Sequence, residues 1–408
     1  MAKRFNLGSL ASSAIAFVVM IGIADFFADA TYEGARSITG PFLGTLGASA
    51  TIVAATTGFG EMVGYLLRSV SGVWANNTQR YWLFALVGYS INMLAVPALA
   101  LADNWAAAAA LIAIERAGRA LRKPAVETMM SFTAETIGRG WVFGLHTALD
   151  QAGATLGPLL VSLVIYLRGD YRSSFATLLI SAVLCLVTLT LSRLLYPSPQ
   201  AFARTGDSQE HTKKLSKPYW IYVAAGALVA AGFADFALIS FHCQRRSILS
   251  ESSVPLLYAV AMGMGAIASL VYGKCLDKLG FSVVLFAVLL GALFAPLAFS
   301  NSAWLAVLGS ALWGLGKGAQ DSVLKAELSR LLPMTSRSSG FGIYSSIFGV
   351  GWFAGSLIMG WLYEFSIAAM VAFSVLAQLL ALPVFVLAER ASHNSKATAS
   401  PPATHPFD

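Results

Sequence analysis

Gly22-Ile-Ala-Asp25-Phe26, trailed by Arg36-Ser37-Ile38, returns 210 residues later as Gly232-Phe-Ala-Asp235-Phe236 and Arg246-Ser247-Ile248. A second block returns at a spacing of 198, pairing Gly118 with Gly316, Arg119 with Lys317, Gly144 with Gly342, Gly153 with Gly351 and Gly157 with Gly355. Nearly everything between these landmarks is apolar. Two similar hydrophobic halves of about 200 residues each predict an all-α membrane protein with a pseudo-symmetric seam. Transporters bind their cargo at such seams, near the bilayer midplane.

Composition supports the membrane reading. Hydrophobic residues make up 57% of the 408-residue chain and charged ones only 12%, about half the charge of a soluble domain. Twelve spans of roughly 20 residues or more are predicted, six from 10–31 to 174–196 and six from 219–241 to 367–388. Long apolar runs exclude a barrel, leaving two six-helix bundles. Placing the N-terminus inside leaves five of the 27 Lys and Arg residues on the outer side: Arg36, Arg168, Arg172, Arg245 and Arg246. That asymmetry is the positive-inside rule, so the net charge of +7 is topology rather than a nucleic-acid footprint. Lys3-Arg4, an apolar run and Ala28-Asp29-Ala30 imitate a cleaved signal. Recurrence of the same segment at 232–236 argues against cleavage.

The expected organisation is a bundle over 1–196, a polar cytoplasmic linker over 197–218, a second bundle over 219–390, and a disordered cytoplasmic tail over 391–408. Cys185, Cys243 and Cys275 offer neither a disulfide framework nor metal-ligand spacing. No cofactor or metal is expected, and no nucleophile–base set suggests an enzyme.

Gly273-Lys274-Cys-Leu-Asp277-Lys278-Leu-Gly280 resembles the glycine-led loop after the second helix of a half in the major facilitator superfamily, and the resemblance spans essentially the whole chain. The matching N-terminal turn departs from that pattern, since Gly64-Tyr-Leu66-Leu-Arg68 carries arginine where the family has aspartate. Gly144, Gly153 and Gly157-Pro158 on the fifth span resemble the antiporter motif of proton-coupled exporters in that superfamily, with Val161-Ser162 in place of its closing glycine pair. Glycines one turn apart equally suit tight helix packing, and their recurrence at Gly351 and Gly355 favours that reading. Gly118-Arg119-Ala-Leu-Arg122-Lys123-Pro124 on the fourth span resembles a further branch of the same superfamily, with no substrate attached.

Charges inside a bilayer cost about 2.5–3.5 kcal/mol each and need a reason. Asp25 and Asp29 share one helix face. Two close carboxylates in a low dielectric repel, which suits one of them to carrying a proton. Asp235, the repeat mate of Asp25, has no second carboxylate one turn on. Glu115, Arg116 and Arg119 sit deep in the fourth span, where Arg119 is placed to neutralise Asp25, Asp150 or an anionic cargo. His146 and Asp150, one turn apart, form a candidate relay, although His146 is expected close to the cytoplasmic end. Glu61 is expected at the inner interface. Lys317 and Asp321 are expected to close a cytoplasmic gate.

The resulting expectation is a monomeric secondary transporter of a bacterial inner membrane, both termini cytoplasmic, exchanging protons for a small molecule moving outward. Uptake of a small polar or anionic solute on the same fold is the alternative, followed by a non-transporting lipid translocator or sensor.

Overall fold

The computed structural model describes residues 7–137, 139–202, 215–332 and 337–399. They are almost entirely helical, and no strand occurs among the described residues. The first half comprises α1 (Leu7–Thr45), α2 (Ala50–Thr78), α3 (Tyr81–Ala98), α4 (Trp105–Ile137), α5 (Arg139–Arg168) and α6 (Tyr171–Leu195). The second comprises α7 (Lys217–Gly232), α8 (Phe236–Arg245), α9 (Val254–Leu279), α10 (Ser282–Ala292), α11 (Phe294–Ala298), α12 (Ala303–Asp321), α13 (Val323–Leu331), α14 (Arg337–Phe365) and α15 (Ile367–Ala399). With α7–α8, α10–α11 and α12–α13 each counted as one pass, the halves make six crossings apiece. Among the described residues, nine passes are apolar and long enough to span a bilayer by length and composition. The stretch α4 is more charged, carrying Glu115, Arg116, Arg119, Arg122 and Lys123 on consecutive turns.

The repeat is visible in the packing. A Cβ at Gly153 or Gly157 of α5 would lie 2.2 Å from the carbonyl oxygen of Phe26 or Ala30 on α1. Their mates Gly351 and Gly355 on α14 meet the carbonyls of Ala227 and Ala231 on α7 at 2.8 and 2.0 Å. Hydrogen side chains let these backbones touch, the means by which helices associate in lipid. Pro158 leaves α5 a single continuous helix.

Symmetry fails in the first pass of each half. The stretch α1 runs unbroken through Gly22–Phe26, but its mate unwinds over Phe233, Ala234 and Asp235, where a continuous span was expected. Backbone groups freed in a membrane need new partners. Here Gly232 O accepts from Ser374 Oγ (2.6 Å) and Gln378 Nε2 (3.2 Å), Ala234 O accepts from Trp313 Nε1 (2.8 Å), and Asp235 Oδ1 caps α8 by accepting from Ala237 N (3.0 Å).

The halves meet along α2 with α14, α5 with α9 and α1 with α8. At the far end, opposite the 197–218 connection, the seam is zipped. A Cβ at Gly40 would lie 1.9 Å from Ala237 O, Ser162 Oγ donates to Ser252 O (2.6 Å), and Thr51 N donates to Glu364 Oε1 (3.0 Å). The connection itself starts with a 3-10 turn at Pro199–Phe202, whose Phe202 ring packs on Phe17 at 5.9 Å. Residues 203–214, most of the expected linker, and 400–408 of the expected tail lie outside the described residues. The final helix continues to Ala399, so 391–399 is helical where composition suggested disorder.

Candidate functional site

Charge stripes on two antiparallel helices build the site. On α1, Asp25, Asp29 and Glu33 recur every four residues and so share a face. On α4, running the other way, Arg122, Arg119, Arg116 and Glu115 form the opposing stripe.

Toward the linker end lies a cluster inside the first half. Arg122 Nη1 donates to Asp25 Oδ1 at 2.6 Å, and Nη2 to Asp29 Oδ1 at 3.4 Å. Its guanidinium sits 4.3 Å from the centre of the Tyr89 ring, and the Tyr89 hydroxyl donates to the same Asp25 oxygen. His146 Nε2 is 2.6 Å from Asp25 Oδ2, and its Nδ1 is 3.6 Å from Asp150 Oδ2. Lys123 Nζ reaches Asp150 Oδ2 at 3.5 Å. Arg122, Asp25 and Tyr89 are essentially sealed from solvent.

This arrangement corrects three expectations. The repulsion between Asp25 and Asp29 is bridged by Arg122, a residue given no role in the sequence reading. The cation beside Asp150 is Lys123, not Arg119. His146 is buried against Asp25 instead of facing water.

The second cluster crosses the seam. Arg36 Nη2 donates to Asp235 Oδ2 of the other half at 2.8 Å and lies 3.1 Å from Glu61 Oε1. Arg116 Nη2 is 3.5 Å from that same Glu61 oxygen, and its Nη1 is 3.6 Å from Glu115 Oε2. Asn92 Nδ2 donates to Glu115 Oε1 at 2.5 Å. Arg119 stacks over the Tyr32 ring at 3.9 Å and reaches Glu33 Oε1 at 3.7 Å. Glu33 also accepts from the hydroxyl of Tyr258, on α9 of the other half. Arg36, placed outside by the sequence reading, and Glu61, placed at the inner interface, are therefore both seam residues. A small cavity adjoins them, lined by Tyr32, Arg36, Thr39, Glu115 and Arg116.

The remaining candidates stand apart. Lys317 pairs with Asp321 on its own helix, and Lys325 reaches Asp321 at 2.9 Å. Arg68 pairs with Glu127 at 2.6 Å. A Cβ at Gly64 would meet nothing nearer than Arg116 Cβ at 4.0 Å, and one at Gly144 or Gly273 would meet nothing within 4 Å among the described residues outside its own helix. Gly280 ends α9 at φ 61°, ψ −146°, a conformation open to glycine alone. Asp277 is exposed and makes no polar contact among the described residues.

Ligand atoms of Asp25, His146 and Asp150 come within 4.8 Å of one another, the one grouping of metal-binding type among the described residues. Arg122 and Lys123 already supply the positive charge a metal ion would bring. Arg119, Lys123 and Lys317 are partly exposed, at 25%, 23% and 21%, whereas Arg36 is at 6% and Arg122 at 1%.

Comparisons with known proteins bear on the family and the fold. The family model described as Major Facilitator Superfamily matches residues 6–299 and 240–407. An uncharacterized protein of Mycobacterium tuberculosis is 34% identical over 386 residues, covering 93% of this chain and 94% of its own. The class H tetracycline resistance protein of Pasteurella multocida is 30% identical over 124 residues, covering 29% of this chain and 31% of its own. Among solved structures, that of the nucleoside transporter NupG superposes with a TM-score of 0.71 at 12% identity, covering 92% of this chain and 99% of that one.

Proposed function

The chain belongs to the major facilitator superfamily, and from that premise we propose that this transporter couples inward proton movement to export of a small molecule by alternating access. The observation that carries the reading is the buried ion pair between Arg36 and Asp235, which joins the two halves at 2.8 Å. Buried ion pairs are poor stabilisers because desolvation offsets their attraction. A pair spanning two bodies that must separate is well suited to a switch, because it favours one packing of the halves over the other.

Proton coupling is supported by Asp25, hydrogen-bonded to His146 within reach of the more accessible Asp150. A proton entering through the imidazole has an acceptor on each side. Outward direction is supported by the partial likeness to the tetracycline resistance protein. The lysine and arginine distribution supports an inner bacterial membrane with the linker end and both termini cytoplasmic. Rocking units would then be 1–196 and 219–390, each protein acting as a monomer.

A pH-jump assay in proteoliposomes tests this, with a pH dye inside and a compound panel outside. A compound that discharges the gradient through wild type and not through Asp25→Asn supports the reading. Compound flux indifferent both to the gradient and to Asp25→Asn would sink it.

A further inference from the structure

The seam cluster is not electrically matched. Four carboxylates, Glu33, Glu61, Glu115 and Asp235, face three guanidiniums, Arg36, Arg116 and Arg119. Arg119 serves Glu33, and Arg36 serves Asp235. Glu61 touches both Arg36 and Arg116. Glu115 touches only Arg116, which it shares, and otherwise receives the neutral amide of Asn92. An unmatched charge in a dry interior is expensive, and a carboxyl group avoids it by holding a proton.

We propose that Glu115 carries that proton, and that its protonation holds the far end of the transporter closed. This deepens the proton-coupled reading above and rests on it. The groups around Glu115 are Tyr32, Glu33 and Arg36 from α1, Glu61 from α2, Asn92 from α3, and Arg116 and Arg119 from α4; Asp235 and the α9 residue Tyr258 join them through Arg36 and Glu33. Asp29 belongs to the neighbouring cluster, with Asp25, Asp150, His146, Arg122 and Lys123.

The coupling follows from which half owns each charge. Asp235 alone among the seven seam groups belongs to the second half. When the far end opens, Asp235 leaves, and three carboxylates then match three guanidiniums without a proton. Protonating Glu115 in that state leaves one positive charge in excess at Arg36, which draws Asp235 back and shuts the far end. Losing the proton in the closed state leaves one negative charge in excess, which expels Asp235. By linkage, the closed state binds the proton more tightly and the proton favours the closed state by the same factor. A proton taken from the far side therefore closes that side, and its release toward the linker end permits reopening, the order that exchange requires.

The test follows the far-end gap directly and needs no cargo. Spin labels replace Tyr166 and Trp304, exposed residues of opposite halves that are 77% and 70% accessible, with the partly exposed Cys275 changed to serine. Pulsed distance measurements on the full chain in nanodiscs are taken across a pH series. Wild type is expected to shift from a short to a long distance as pH rises. Glu115→Gln should stay short throughout, Asp235→Asn should lose the pH response, and Glu115→Asp should restore it with a displaced midpoint. A wild-type distance indifferent to pH, or a wild-type pH response in Glu115→Gln, overturns the proposal. Failure of gradient-driven transport with the distance response intact would instead remove the coupled-export reading and leave this gate standing.

Discussion

Replacing Gly153 by alanine tests whether the glycines of α5 serve packing or coupling. The new Cβ would sit 2.2 Å from the carbonyl oxygen of Phe26 and 3.0 Å from its carbon. Both are backbone atoms that no rotamer change can move aside. Real contacts below 3.0 Å are essentially absent, so α1 and α5 must part by at least about 0.8 Å, the difference between 3.0 and 2.2 Å. Carried to the neighbouring Asp25, that displacement stretches the His146–Asp25 contact from 2.6 Å to about 3.4 Å, the edge of hydrogen bonding. Overpacking of this kind costs about 1–3 kcal/mol. Gly157→Ala meets Ala30 O at the same 2.2 Å. Once the helices have parted the second substitution costs less, so the pair should be sub-additive. Gly144→Ala, with open space around it, should stay within about 0.5 kcal/mol of wild type. Gly355→Ala, 2.0 Å from Ala231 O, imposes the same strain on a helix pair without a buried acid–base contact. Thermal unfolding in micelles and gradient-driven flux in proteoliposomes are measured on all of these variants. Destabilisation should be similar in Gly153→Ala and Gly355→Ala, with proton-driven flux falling further in Gly153→Ala. A Gly153→Ala protein as stable and active as wild type, or a Gly144→Ala protein equally damaged, would refute the reasoning.

Other consequences are measurable by the same means. Arg36→Leu strands Asp235 and should cost about 3–5 kcal/mol, much of it recovered in Arg36→Leu/Asp235→Leu; a double-mutant cycle on unfolding checks the sign. Tyr89→Phe removes the hydroxyl donor from Asp25 and should cost about 1.5–3 kcal/mol, read as a lower unfolding temperature. Asp170 caps α6 by accepting from Ser173 N at 2.6 Å, so Asp170→Ala should cost about 1 kcal/mol at neutral pH. The hydrogen bond from Ser173 holds the Asp170 carboxyl below its usual range. Its contribution is therefore complete above the unfolded value and disappears as pH falls through the folded one. The gap between wild type and Asp170→Ala should close on acidification.

What the sequence shows of this site depends on how local each signal is. The repeated Gly153 and Gly157 spacing displays a helix contact because both partners recur at the same offset. Asp25, Glu115, Arg116 and Arg119 stand out because a charge deep in an apolar run needs a reason. Arg36 escapes notice because the outer boundary of a 39-residue helix is ambiguous when about 20 residues suffice to cross, and Glu61 because the 29-residue α2 leaves its inner boundary equally open. Asp235 is visible as a charge, but its partner lies 199 residues away in the other half, and nothing local pairs them. One signal was available. Acids at 25, 29 and 33 on one helix and bases at 116, 119 and 122 on an antiparallel one predict a facing ionic ladder.

The break in the seventh pass shows why two near-identical segments behave differently. Gly22–Phe26 and Gly232–Phe236 share their pattern, yet only the second unwinds. Extending the 198-residue offset back along α4 and α12 pairs Glu115 with Trp313 and Arg116 with Gly314. Trp313 donates its indole N–H to Ala234 O and so supports the unwound backbone. Glu115, at the equivalent place, has no such fixed donor for α1. Gly314 brings α12 against the Ala261 carbonyl of α9, where an added Cβ would lie at 2.1 Å; Arg116 instead links α4 to α2 through Glu61. One half thus uses close backbone contact and aromatic packing where the other uses ionisable contacts. Close packing has no protonation state, whereas an ionic contact changes with one proton. The substitutions that break the symmetry have concentrated the ionic contacts of the seam in the first half and left Asp235 as the second-half residue ion-paired with them.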